Sequence, residues 1–316
     1  MYCQIKPTNI FIVLHGVLAH LVEHLVRNQK VTGSTPVYST ATGVPQEAPL
    51  FLFCRYIVFF LYFCILIQTT FESMKLALLG YGKMGKAIEA VAKERGHSVG
   101  VTIDDEDDWM AKLDDIRECD MAVEFSTPAT VLSNIMRCFD MDMPVVVGTT
   151  GWYDHLDAVV HDCQQRGQAL FVASNFSIGM NIMFELNRRL AQLMDSHDEY
   201  SVSIAETHHI HKLDAPSGTA ITLAKDIIEE LDRKDDWRLM KKGTRIGKGI
   251  IPITAVREGE VAGIHEVVYD SEIDTITLRH AAKSRKGLAL GAVLAAEYLE
   301  DKHGYFTMKD LLKVES

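Results

Sequence analysis

Lys75-Leu76-Ala77-Leu78-Leu79-Gly80-Tyr81-Gly82-Lys83-Met84-Gly85 joins a short apolar run to a glycine-rich turn. The run reads as a buried strand. Lys86 to Glu94 then reads as a helix with Ile88, Val91 and Ala92 turned inward, and His97 to Ile103 as a second strand. G-x-G-x-x-G alone says little, because glycines gather in many turns. Between a strand and a helix, with another strand following, it points to a dinucleotide. There Gly80 allows the tight turn, Gly82 lets the backbone approach a pyrophosphate, and Gly85 lets helix and strand pack closely. Asp104 ends the second strand, where an acidic residue bonds the adenosine ribose hydroxyls, and Asp105 follows it. Two carboxylates there should repel a 2′-phosphate, which favours NADH over NADPH. The competing reading of Asp104-Asp105-Glu106-Asp107-Asp108 is a solvated acidic loop.

Strands and helices keep alternating beyond this unit. Met121 to Phe125, Pro144 to Val147 and Ala169 to Ala173 read as strands, and Pro128 to Phe139 and Trp152 to Gln165 as helices. This is the pattern of a parallel sheet covered on both faces, whose ligands bind at the carboxyl ends of the strands. Ser126-Thr127, Gly148-Thr149-Thr150-Gly151 and Ser174-Asn175-Phe176-Ser177 all fall there. Thr127 reads as a helix cap. The second group reads as a cofactor loop, since a cap needs no pair of glycines.

After Ser177 the pattern changes. Ile178 to Met194 reads as an amphipathic helix with Ile182, Leu186, Leu190 and Leu193 inward, and Tyr200 to Ala205 as a strand. Glu206-Thr207-His208-His209-Ile210-His211-Lys212-Leu213-Asp214-Ala215-Pro216-Ser217-Gly218-Thr219-Ala220 follows. Three histidines and a lysine thus stand where a strand runs out, ahead of a helix that Ser217 or Thr219 can cap. The free N–H groups of that helix start suit an anion. An acid–base imidazole, a fixed ammonium and an anion site together suggest a small anionic substrate that gains or loses a proton. A zinc site at His208, His209 and His211 fits poorly. Neighbouring strand residues face opposite ways, and there is no cysteine or H-E-x-x-H companion, so no metal is expected. His211 is the candidate for an ordinary hydrogen-bonded core histidine. A Lys/Arg-rich loop, Arg233 to Lys248, precedes strands at Ile250 to Val256, Glu258 to Tyr269 and Thr275 to Ala281. These predict an α+β unit on a mixed sheet. Arg285 to Tyr298 and Thr307 to Leu312 read as closing helices packed on the first sheet.

The net charge of −11 over 316 residues argues against a nucleic-acid partner. The six cysteines show no metal spacing and read as reduced thiols of a cytoplasmic protein. Residues 1–73 stand apart. Pro49 to Ile67 is almost entirely apolar and about the ~20 residues that span a bilayer, so a membrane anchor is one reading. A signal peptide fits worse, because the apolar run starts late. The third reading is preferred: Ala19 to Thr40 resembles the conceptual translation of a transfer-RNA gene, and Met74 is the expected true start. No packed domain is expected before Met74, and no membrane segment in 74–316.

The segment from Glu206 to Ala220 closely resembles the signature of the dihydrodipicolinate reductase family. It is joined by Gly80 to Gly85, Gly148 to Gly151, Ser174-Asn175-Phe176-Ser177-Ile178-Gly179-Met180-Asn181 and Ala282-Lys283-Ser284-Arg285. The resemblance covers Met74 to about Val314. It implies a Rossmann-type domain, 74–177 with 286–316, and an inserted α+β substrate and tetramerisation domain, 178–285, in a homotetramer. It implies NAD(P)H-dependent reduction of a cyclic imine dicarboxylate, (hydroxy-tetra)hydrodipicolinate, on the diaminopimelate route to lysine. His208 would move the proton and Lys212 would be the cationic catalytic residue. His209, Ser217, Gly218 and Thr219 would hold substrate carboxylates. Gly80, Tyr81, Gly82, Lys83, Met84, Gly85, Asp104, Gly148, Thr149, Thr150, Ser174, Asn175 and Phe176 would hold the cofactor. Two departures bear on this. The glycine loop is a residue shorter than in many relatives, and Asp105 stands where many carry an arginine suited to NADPH. The short segment from Asp105 to Glu124 is further expected to trim the sheet edge. A different Rossmann amino-acid dehydrogenase would leave His208 to Thr219 unexplained. A non-catalytic NAD-binding sensor would be expected to lack His208 or Lys212.

Overall fold

A computed structural model describes residues 73–241 and 245–314. The expectations placed on residues 1–72, an anchor or a misplaced start, lie outside the described residues.

The first sheet follows from its apolar runs. β1 (Lys75–Leu79), β3 (Met121–Glu124), β4 (Val145–Val147) and β5 (Ala169–Val172) are buried almost throughout, as strands covered on both faces must be. With β2 (Ser98–Ile103) and β11 (Gly304–Phe306) they form a parallel sheet in the order β2-β1-β3-β4-β5-β11. Strand alternation divides the core in two. Leu76, Leu78, Val123, Val146 and Phe171 pack on α1 (Lys83–Glu94) and α8 (Lys286–Leu299). Ala77, Leu79, Ala122, Val145 and Leu170 face α2 (Glu106–Ala111), α3 (Leu113–Arg117), α4 (Val131–Asp140) and α5 (Leu156–Gln165). The strand order reverses between β1 and β3, which is where an open α/β sheet forms its ligand crevice.

The second sheet has the order β10-β9-β6-β8-β7. β9 (Ile264–Asp270) runs antiparallel to both β6 (Ser201–His208) and β10 (Thr275–Ala281), whereas β8 (Ile250–Arg257) runs parallel to both β6 and β7 (Asp236–Leu239). One face packs Val202, Ile204, Ile253, Val267 and Tyr269 against α6 (Ile178–Met194) and α7 (Gly218–Glu230). A parallel Rossmann-type sheet beside a smaller mixed sheet is the architecture read from the sequence. Among the described residues, no helix is long and apolar enough to cross a membrane.

Four local readings differ. β11 was missed, being three half-buried residues without alternation. β7 lies inside the expected basic loop, because an edge strand tolerates charge on its open side. α4 starts at Val131 and Thr127 does not cap it. The Thr127 carbonyl accepts from Val131 N, and its hydroxyl meets Thr130 Oγ1 at 2.9 Å. Between β2 and β3, the segment from Asp105 holds only the short helices α2 and α3. The buried face of α6 is Met180, Met183, Phe184, Asn187, Ala191 and Met194, while Ile182, Leu186 and Leu193 are 46%, 51% and 56% exposed. This helix is apolar around much of its circumference, so periodicity alone leaves the face open. Asn187 fixes it by donating to Leu223 O on α7 at 3.0 Å.

α9 (Met308–Leu312) completes the chain with a capping box between Thr307 and Asp310.

Candidate active site

At the end of β1 the chain turns through Gly80, whose φ is +94°. Gly80 N donates to Ile103 O at 2.7 Å, and Phe125 N donates to Leu79 O at 2.8 Å, so β2 and β3 grip the turn from both sides. A β-carbon on Gly80 would run into the Phe125 carbonyl, and one on Gly85 into the Gly80 carbonyl. Gly85 is therefore demanded by the loop itself as much as by strand packing. Gly82 has no atom within 4 Å of where a β-carbon would stand, so its backbone is open on that side. Tyr81 N donates to Asp104 Oδ1 at 2.5 Å, which ties the acidic residue to the glycine loop. Asp105 is otherwise engaged: it caps α2 by accepting from Asp108 N at 2.9 Å. Lys83 is exposed; Tyr81 and Met84 pack partly against the first core.

The other strand ends gather beside this loop. A β-carbon on Gly148 would strike the Phe125 ring. Thr149 is buried and its carbonyl accepts from Trp152 Nε1 at 2.8 Å, while Thr150 is exposed. Asn175 is held by both ends: Oδ1 accepts from Ser177 N at 2.9 Å, and its carbonyl accepts from Asn181 Nδ2 at 2.8 Å. Phe176 belongs to the core, its ring 5.5 Å from that of Phe125 and its carbonyl packed on Gly291 of α8, so its ring is closed to a ligand. Ser174 and Asn175 also line a cleft of about 410 Å³ with Arg188, Thr222 and Lys309, in which His208 and Lys212 have no part. Glu124, which the sequence reading passed over, is fully buried at the end of β3. Its Oε1 accepts from Ser126 N and Asn134 Nδ2, each at 3.2 Å, and burial pushes its pKa up.

The second cluster grows from β6. Strand alternation puts Glu206 and His208 on the buried face with Val202 and Ile204. Register supplies their partners from distant sequence. His265 of β9 pairs with Glu206, and Arg257 of β8 pairs with His208. Glu206 Oε1 accepts from Ser217 N at 3.0 Å and from Arg257 at 3.1 Å. Arg257 also reaches Asp214 O at 2.5 Å and Lys212 O at 3.3 Å, pinning the loop between β6 and α7. Lys212 Nζ pairs with Asp214 at 2.9 Å. Ser217 caps α7, its Oγ accepting from Ala220 N at 3.2 Å; Thr219 does not. Gly218 and Thr219 follow as the first helical residues, where N–H groups lack intrahelical acceptors.

The histidines divide differently from expectation. His208 is the buried one, at 8% exposure, and His211 is exposed and paired with Glu260 at 3.2 Å. His211 is therefore no core histidine; it lies past the strand end, in the turn. His209 is half-buried, its ring 6.0 Å from that of His211. Burial pushes the His208 pKa down; Glu206 and Asp214 oppose this, and Lys212 and Arg257 reinforce it. Burial likewise brings His265 down to about 4. Among the described residues, the trio whose potential ligand atoms converge, within 4.8 Å of one another, is Glu206, His208 and His265. Arg257 and Lys212 already bring positive charge there, which disfavours a divalent cation. Among the missed residues, Arg257 and His265 had no local signal, since only strand register brings them in.

Profiles described as dihydrodipicolinate reductase, N-terminus, and dihydrodipicolinate reductase, C-terminus, match residues 74–176 and 179–312. A 4-hydroxy-tetrahydrodipicolinate reductase of Christiangramia forsetii is 49% identical over 239 residues, covering 76% of this chain and 98% of its own length. One from Akkermansia muciniphila is 35% identical, covering 73% and 94%. A dipicolinate-bound dihydrodipicolinate reductase from Paenisporosarcina sp. TG-14 shares the fold with a TM-score of 0.60 at 23% identity, over 74% of this chain and 97% of that one. The chain belongs to the dihydrodipicolinate reductase family and is an NAD(P)H-dependent oxidoreductase.

Proposed function

We propose that the chain reduces (hydroxy-tetra)hydrodipicolinate, a cyclic imine with two carboxylates, to tetrahydrodipicolinate on the diaminopimelate route to lysine. The observation that carries this is the Glu206–Thr219 segment, which collects a buried imidazole, an ammonium and a helix start beside one another. When bound, NAD(P)H supplies the hydride to a ring carbon conjugate to the C=N bond, and from the 4-hydroxy compound the hydroxyl group leaves as water. His208 delivers the proton that the resulting enamine takes up. Lys212 holds positive charge next to a carboxylate or leaving group, worth several kcal/mol in a closed site of low dielectric. His209 and the Ser217-Gly218-Thr219 helix start hold the carboxylates, the N–H groups aligned with the helix dipole. The cofactor fits the glycine loop because the Gly82 backbone is open on one side and the Gly80 turn is fixed on the other.

Asp104, tied to the loop through Tyr81 N, supports a preference for NADH over NADPH. Thr149, Thr150, Ser174 and Asn175 line the crevice for the nicotinamide half. On this reading 74–177 with 286–316 act as the dinucleotide unit, which the burial of α8 in the first core supports. Residues 178–285 act as the substrate and tetramer unit of a cytoplasmic homotetramer. The uncovered face of the second sheet, where Val256 is 41% exposed, supports a subunit contact. The test is NADH oxidation by the full chain, with substrate formed in place by enzymatic condensation of pyruvate and aspartate semialdehyde. Oxidation that depends on the condensing enzyme is expected. A folded, NADH-binding chain that oxidises none would overturn the reading.

A further inference from the structure

Two buried atoms in the second cluster face each other without a hydrogen bond. Glu206 Oε2 and His208 Nδ1 are 3.4 Å apart, both fully buried and both unpartnered. The other oxygen, Oε1, is committed to Arg257 and the Ser217 N–H, so the carboxylate cannot turn away. The other ring nitrogen, His208 Nε2, points at Gly263, where a β-carbon would stand 3.2 Å from it. Glycine at 263, with φ of +153°, therefore keeps a gap in front of Nε2.

His265 is the rival for Oε2, with Nε2 3.8 Å away and its ring edge-on to His208 at 5.0 Å. Ser217 removes that rivalry. Ser217 Oγ accepts from Ala220 N, so its own proton is free to go to His265 Nε2, 3.2 Å away. A histidine nitrogen that accepts carries no hydrogen to offer Oε2. Oε2 is left to His208 alone.

We infer that Glu206 is a positioning residue that takes the Nδ1–H of His208, fixes the ring, and leaves Nε2 as the atom that exchanges a proton with substrate. The inference rests on the proposed role of His208. It follows the general logic by which a buried carboxylate sets the tautomer of a working histidine. Contacts of this kind are long in free enzymes and tighten with substrate bound. The charge acts too. Glu206 and Asp214 favour the imidazolium, whereas burial, Lys212 and Arg257 disfavour it, so removing the Glu206 charge lowers the His208 pKa.

Three measurements on the full chain test this. Histidine ring ¹⁵N shifts of the unmutated chain, assigned to His208 by comparison with His208→Gln, should show the Nδ1–H tautomer above its pKa. In Glu206→Gln, kcat should fall about 10- to 100-fold and the pH profile should move to lower pH, with little change in NADH affinity. In Gly263→Ala, the crowded Nε2 should lower kcat in the same range without moving the Nδ1 signal. An Nε2–H tautomer overturns the inference, even where Glu206→Gln fails to fold. So does a folded Glu206→Gln with unchanged kcat and pH profile. If His208→Gln itself turns over normally, the underlying role of His208 fails. If it is inactive while Glu206→Gln is not, only the positioning role fails.

Discussion

The glycine loop after β1 and the histidine segment at the end of β6 are built by opposite means. The first works by leaving side chains out: Gly80 and Gly85 bring backbone to backbone, Gly82 leaves its backbone open, and one carboxylate, Asp104, reaches in. The second works by crowding charge: Glu206, His208, Arg257 and His265 meet at one corner of a sheet, and Lys212, paired with Asp214, stands in the loop that follows. A backbone site is made by a contiguous peptide, so a linear motif contains nearly all of it. A side-chain site draws partners through strand register, so the motif contains only the strand that carries it.

The largest expected effect falls on the charged site. Lys212→Ala should lower turnover by about 10²- to 10³-fold, the range seen when a fixed electrostatic donor is removed. NADH affinity, read by fluorescence titration, should hardly change. An equal loss of both would show that the two sites are not separable, and that Lys212 serves the fold of its loop.

The glycine loop can be split against itself. Gly80→Ala meets both a φ of +94° and the Phe125 carbonyl, so it should cost about 2–3 kcal/mol of stability, seen as a lower Tm. Gly82→Ala meets nothing in the protein. It should leave Tm alone and weaken NADH binding, because the lost space is the cofactor's. A Gly82→Ala chain that binds NADH normally would mean that the pyrophosphate passes elsewhere.

This contrast also explains what was legible. The parallel sheet, the glycine loop and the Ser217 cap could be read because period-2 alternation, glycine spacing and helix caps are local signals. The buried status of His208 followed from β6 running through Glu206 and Thr207, one turn of alternation further than its β-prone residues suggest. Arg257 and His265 could not be read, since they stand 51 and 59 residues from Glu206 and meet it only through pairing with β8 and β9. The inward face of α6 failed for a related reason: the deciding contact, Asn187 with Leu223, is tertiary.

A second buried carboxylate–histidine pair sharpens the comparison from the structural side. Glu297 on α8 accepts from Arg95 at 2.5 and 2.7 Å and from His97 Nε2 at 2.9 Å, at the amino ends of β1 and β2 and away from the carboxyl ends where ligands bind. His97 Nδ1 is used as well, accepting from Met74 N at 3.2 Å. With every atom matched, this cluster has nothing left for chemistry, unlike Glu206 Oε2. Burial pushes the Glu297 pKa up, but Arg95 and His97 outweigh it and hold the carboxyl below its usual range. A depressed carboxyl pKa contributes stability above the unfolded value, and that contribution is lost as pH falls through the folded one. Glu297→Gln should therefore cost about 1–2 kcal/mol at neutral pH, discounted because Arg95 is a third exposed. The difference should vanish in acid, and turnover should be unchanged at any pH where the chain is folded. Thermal unfolding across pH reads it.

The smallest effect concerns coenzyme choice, the one place where the backbone-built site relies on a side chain. Asp104 and Asp105 look equivalent in sequence, but only Asp104 contacts the loop, through Tyr81 N at 2.5 Å. Asp105 is spent on capping α2. Asp104→Ala removes the like-charge repulsion toward a 2′-phosphate and the acceptor for the ribose. The ratio of NADH to NADPH kcat/KM should fall about tenfold, roughly 1.4 kcal/mol. Asp105→Ala should cost about 1 kcal/mol of local helix stability and leave the ratio nearly unchanged. If Asp105→Ala moved the ratio and Asp104→Ala did not, the ribose would lie on the α2 side of the turn, and the glycine loop would depend on its neighbours as heavily as the histidine segment does.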